Sequence, residues 1–168
     1  MKYLMGLVFS LKVAGLFSQC TFSVSNIKGT KTVGGIQVTV TSSGMVDSNA
    51  TYCNATLPYM IGIVLTPPYA NGAGSYTFNF SPPTAGATLN FSGITNTATD
   101  AEEMEVYVNS AHYLIPATGS PNGCDAMAVL TSGGNIRGCI GCGVSGWNGT
   151  NINGPINSLV VKGKVLYG

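Results

Sequence analysis

Two carboxylates placed two residues apart, Glu103 and Glu105, are the first point at which side chains of this chain could act together. Residues i and i+2 of a strand share a face, so the pair would stand side by side. A glycosidase needs such a pair, one carboxylate as nucleophile and the other as acid/base. The strand pattern that serves that chemistry carries a third acid further along, and Tyr107 stands in the candidate place. A soluble sheet face uses the same two charges without any chemistry, and that is the preferred reading. Asp47, Asp100 and Glu102 lie in loop-like sequence and offer the kind of oxygens calcium takes, without the regular spacing of a calcium loop. No other metal or cofactor is expected.

The lone histidine, His112, has no motif serine near it and sits in Ala111-His112-Tyr113, an ordinary strand setting. A serine triad is therefore not expected. The five cysteines are Cys20, Cys53, Cys124, Cys139 and Cys142. A redox pair at Cys139-Ile140-Gly141-Cys142 would need a helix N-terminus to lower the thiol pKa, and glycines flank the motif instead. Structural zinc needs four ligands, commonly two such pairs, and only one pair exists. The expectation is one or two disulfides stapling the segment from Cys124 to Cys142, with at least one cysteine left over. The pairing stays open.

Gly133 to Gly154 carries eight glycines together with Arg137, Trp147, Asn148, Asn151 and Asn153. Read as a surface loop, that set suits a sugar: the indole stacks on a pyranose face and the amides bond its hydroxyls. Against this, Trp147 can plug the end of the fold while the glycines allow tight turns. For Trp147 itself the plug is preferred. Sequons at Asn49, Asn54, Asn79, Asn90 and Asn148 follow from a composition rich in Asn, Ser and Thr.

The elements that must position these residues read as strands from end to end. Ile36, Val38 and Val40 alternate with polar neighbours, as do Phe78 with Phe80, Leu89 with Phe91, and Met104 with Val106 and Val108. Each pattern gives one apolar face and one polar face, as in half-buried antiparallel strands. Tyr59 to Leu65 is a continuous apolar run suited to a central strand. Ala126 to Leu130, Leu159 to Val161 and Val165 to Tyr167 add three more. Turn signals separate them at Pro67-Pro68, Asn71-Gly72, Pro82-Pro83, Pro121-Asn122-Gly123, Gly133-Gly134 and Gly154-Pro155. Ala98 to Glu105 could form one helical turn. About nine short strands so joined predict an all-β fold, an antiparallel two-sheet β-sandwich of jelly-roll type.

The N-terminus points outward from the cell. Met1-Lys2-Tyr3 is a short basic start, Leu4 to Leu11 is apolar, and Leu16-Phe17-Ser18 leads into polar sequence at Gln19. That is the layout of a signal peptide over residues 1–18, too short to span a membrane at roughly 20 apolar residues. Lipidation at Cys20 is disfavoured by Gln19, which is larger than a lipid-attachment site accepts. Residues 19–168 then form a single domain. The chain stops directly after a strand-like run, which suits either a small complete domain or one truncated at its C-terminus. Losing Lys2 and Lys12 leaves five of the seven basic residues against six acids, a net charge near −1. Such a domain has no electrostatic footprint for nucleic acid or anionic lipid. Charged residues make up only 8% of the chain, where about 25% is usual, so hydroxyls and amides must keep it soluble.

Three stretches carry a resemblance. Glu103-Met104-Glu105-Val106-Tyr107-Val108-Asn109, Ser145-Gly146-Trp147-Asn148-Gly149-Thr150 and Gly154-Pro155-Ile156-Asn157-Ser158-Leu159-Val160-Val161 resemble segments of β-sandwich modules in exported surface proteins of the Bacteroidetes/Flavobacteria group. The resemblance covers roughly residues 85–168. It implies a surface or adhesion role, and it supplies no catalytic residues. Many such modules belong to larger adhesin-like proteins that end in a secretion-sorting domain, and no such domain is expected within residues 19–168. The expectation is a secreted or cell-surface binding module that meets a glycan or protein ligand through its loops. A structural subunit of a surface assembly comes next, and a glycoside hydrolase last.

Overall fold

The computed structural model describes residues 5–12, 20–21, 29–44, 46–47, 50–52, 55–57, 61–63, 73–96, 100–120, 126–139 and 143–167. Fifteen strands and no helix form among them, so the all-β expectation holds. In chain order they are β1 (Met5–Lys12), β2 (Cys20–Thr21), β3 (Gly29–Val33), β4 (Ile36–Gly44), β5 (Val46–Asp47), β6 (Ala50–Tyr52), β7 (Ala55–Leu57) and β8 (Ile61–Ile63). The later strands are β9 (Ala73–Asn96), β10 (Asp100–Val108), β11 (Ala111–His112), β12 (Ala126–Met127), β13 (Val129–Leu130), β14 (Ile136–Arg137) and β15 (Gly143–Tyr167). Thirteen of them share one open sheet, with β6 and β7 forming a separate pair. The pairings are antiparallel except where β12 runs parallel to β15.

Two long strands organise the sheet. β15 lies along β9 from Gly143↔Asn96 to Lys164↔Ala73. On its other side β15 carries β10, from Asp100↔Tyr167 to Val108↔Leu159. β4 covers the first half of β9 and β1 the second. The parity of burial in β9 changes along its length. Tyr76, Phe78 and Phe80 are buried in the first half, and Ala87, Leu89 and Phe91 in the second. β15 changes parity at the same level, from Ile152 and Ile156 to Leu159 and Val161, where its register against β9 shifts. One extra residue in a strand turns alternate side chains to the other face. Each irregularity therefore returns the apolar residues to a single core.

Here the structure corrects the turns expected at Pro82-Pro83 and Gly154-Pro155. Both strands run on through these prolines, which lie where the register of β15 against β9 shifts, and Pro82 and Pro155 each follow a cis peptide bond. A proline cannot donate to the ladder, so it marks a break in pairing as readily as a turn. Asn109 braces the corner from the two-residue turn between β10 and β11. Its Oδ1 accepts from the backbone N–H of Asn157 and Ser158 at 2.8 and 3.1 Å, and its Nδ2 donates to Pro155 O at 3.0 Å. Asn109 itself has φ 50°, a left-handed conformation that asparagine tolerates.

Other expectations shift too. Ala98 to Glu105 forms no helical turn, because β10 begins at Asp100. Leu159 to Val161 and Val165 to Tyr167 belong to one strand rather than two. Within the run Tyr59 to Leu65, Ile61–Ile63 is strand and the remainder lies outside the described residues. The apolar N-terminal run pairs as β1, with Lys12 at its end opposite Gly86.

Candidate functional site

Alternation in β10 sends Met104 and Val106 into the core and Glu103, Glu105 and Tyr107 to the other face. The neighbouring strands bring cations to the same face at matching register. Glu103 lies opposite Lys164 on β15 and Arg137 on β14, and Glu105 lies opposite Lys162. Three of the chain's seven basic residues and two of its six acids thus gather on one surface.

Glu103 is the hub. Arg137 holds its Oε2 through Nη2 at 2.7 Å and Nε at 3.2 Å, a charge-assisted fork. Asn135 Nδ2 donates to its Oε1 at 2.8 Å, and Lys164 Nζ lies 3.2 Å from the same oxygen. Lys164 also pairs with Glu105, which accepts from the Tyr107 hydroxyl at 2.9 Å. Because a carboxylate can only accept, Glu103 fixes the Asn135 amide, whose Oδ1 then faces His112 Nε2 at 2.8 Å. An amide oxygen also only accepts, so the imidazole carries a proton on Nε2. The His112 ring packs at a tilt on Tyr107 with centroids 5.3 Å apart. Lys162 Nζ sits 4.3 Å above the Tyr107 ring, a cation–π distance. Interactions therefore run around the cluster and close on themselves.

Burial raises the Glu103 carboxyl pKa, but hydrogen bonds from Arg137, Asn135 and Lys164 outweigh it and leave it below 4.5. The hydrogen bond from Lys164 likewise holds Glu105 below 4.5, and that to Glu105 lifts Lys164 above 10.5. A glycosidase acid must keep its proton near neutrality, which requires a raised pKa. Neither carboxyl has one. Depressed acids stabilise the fold above their unfolded pKa and lose that contribution as pH falls through the folded value; a raised lysine contributes below 10.5 and loses it above. Glu103→Gln is expected to flatten the loss of stability on acidification below pH 4.5, measured as urea midpoint against pH. An acid limb as steep as in the parent would remove Glu103 as its source.

Beside the cluster lies a shallow cleft of ≈ 250 Å³. Glu105, Lys162 and Lys164 form one wall, and Ala73, Ser75 and Ser43 floor it across β9 and β4. Thr41, Thr77 and Asn79 continue the polar face along those strands.

The structure separates the residues grouped as a sugar-binding loop. From Gly143 onward that segment is β15, because β9 supplies it with a ladder that glycine-rich sequence can still join. Trp147 is 3% exposed within the core and unavailable to a ligand. Gly119 covers it; a Cβ there would collide with the indole. Asn151 is exposed and takes a 2.8 Å hydrogen bond from Thr88, and Asn153 is exposed on the same strand. Arg137 belongs to the cluster above, and the Asn148 side chain is outside the described residues. Cys139 does not carry a free thiol, while Cys124 and Cys142 lie outside the described residues.

Asp47 and Asp100 are in strands, and Glu102 is buried opposite Val165 on the core side of β10. Among the described residues no three His, Cys, Asp or Glu side chains are grouped to hold a metal, and no helix is long and apolar enough to cross a membrane. Sequence reasoning found the two glutamates and missed their partners. The available signal was Lys162 and Lys164, two apart on a strand like the glutamates themselves. Compared with protein-family models, curated proteins and solved structures, the chain matches none.

Proposed function

We propose that this chain is an exported binding module, secreted or held at the cell surface, that takes carbohydrate on the outer face of its sheet. One observation carries the reading: charge, scarce at 8% of the whole chain, is concentrated beside a cleft floored by small side chains. Sugar hydroxyls are satisfied by ionised acceptors and donors held in fixed geometry, and a network tied on every side holds them so. The site therefore moves from the loops to the sheet. The leader-like residues 1–18 support export. Cleavage after Ser18 would remove β1 and open β9 at Gly86–Ser92, an edge through which copies could also associate. The register shifts near Pro82 and Pro155 support the finer architecture, a jelly-roll type sandwich, since strands that bend at bulges can serve two layers.

A glycan array probed with the exported protein tests this. Binding is expected, weakened by Glu105→Ala and unchanged by Asn153→Ala. An array with no binding, or binding that follows Asn153 instead, would overturn it.

A further inference from the structure

Resting on that reading, we infer that the preferred ligand is an anionic glycan, whose carboxylate or sulfate is received by Lys162. The cations on this face are not equivalent. Arg137 is committed to Glu103, and Lys164 to both Glu103 and Glu105. Lys162 makes no ion pair among the described residues; its ammonium rests on the Tyr107 ring, exposed at the wall of the cleft. With three cations against two carboxylates, the face keeps one positive charge, and it is placed on Lys162.

The rest of the cleft suits the remainder of a sugar chain. Strand spacing of ~4.8 Å makes the path from β10 across β15 and β9 to β4 roughly 14 Å, room for a short oligosaccharide. Ser75 and Ser43 offer hydroxyls along that path, and Ala73 leaves a ring space to approach. The mature chain as a whole is near neutral, so a polyanion would gain nothing from the general field of the protein. Any preference for negative charge must be local.

The test compares neutral dextran, alginate oligomers bearing carboxylates and dextran sulfate, by titration calorimetry with the parent protein and four variants. Alginate or dextran sulfate is expected to bind more tightly than dextran, and the better of the two identifies the anion. Lys162→Gln should weaken that binding roughly tenfold or more, as for a lost charge-assisted hydrogen bond. Lys162→Arg should restore much of it. Ser43→Glu, which sets a like charge in the cleft from an exposed position, should weaken it as well. Lys31→Gln, on the edge strand β3, should leave it unchanged. Equal binding of dextran and the acidic glycans, indifferent to Lys162→Gln, would overturn the anionic preference and leave the sheet-face reading standing. Acidic glycans that bind equally well to Lys162→Gln and Ser43→Glu would overturn the site. Failure of all three glycans and of the array would overturn both readings together.

Discussion

Trp147→Ala is expected to destabilise the protein by about 3–5 kcal/mol, the range for truncating a buried aromatic. The indole lies in the core and is 3% exposed, beneath the backbone of Gly119. Its emission should be blue-shifted and poorly quenched by acrylamide, a clean signal because the chain has one tryptophan. The Nε1 has no hydrogen-bond partner among the described residues, so Trp147→Phe should cost less: it keeps an aromatic ring and removes an unsatisfied donor. Gly119→Ala is expected to cost about 1–3 kcal/mol through overpacking against the ring. In a double-mutant cycle that penalty should largely vanish when Trp147 is already Ala. Additive losses, or red-shifted emission in the parent, would show that the ring does not sit under Gly119.

Gly154→Ala is expected to have the next largest effect, near the upper end of about 1–3 kcal/mol. A Cβ at Gly154 would run into the carbonyl oxygen of Thr84 and the backbone of Ala85. Main chain cannot rotate away as a side chain can, so the corner of β15 must move off β9. Gly86→Ala probes the same approach from the other strand, where the added carbon would lie 2.8 Å from Ile152 O. Both variants should lower the urea midpoint with little change in its denaturant slope. A midpoint within experimental error of the parent for Gly154→Ala would mean that the two strands are not in close contact at their corner.

Much of this fold is legible in the sequence because period-two alternation is a local property. Ile36, Val38 and Val40, or Met104 and Val106, announce their buried face without reference to any partner, and the structure buries them. The corners are not legible in that way. Pro82-Pro83 and Gly154-Pro155 carry the local chemistry of turns, and only the ladder that resumes on either side of them makes them irregularities in continuous strands. The change of parity from Phe80 to Ala87 is visible in the sequence once the strand is known to continue, but nothing nearby says that it does. The candidate site fails for the same reason. Glu103 and Glu105 stand out, yet Lys162 and Lys164 are brought to them by register, across a long stretch of chain. Trp147 sits among glycines that suggest a loop, and a ladder partner far back in the sequence makes the segment a strand.

The position of β15 also sets the order in which the molecule can be built. It is the central strand of the ladder, with β9 on one side and β10 on the other, and it is the last of the described strands to leave the ribosome. Until residues 143–167 arrive, neither neighbour has its principal partner, and Ala73 waits for Lys164. Pairings so distant in sequence incur their loop-closure entropy before any contact repays it, which places such topologies among the slow folders. β9 can meet β1 and β4 earlier, so the edges of the sheet can pair first, and the seam that joins β9 to β10 closes only when β15 has been made.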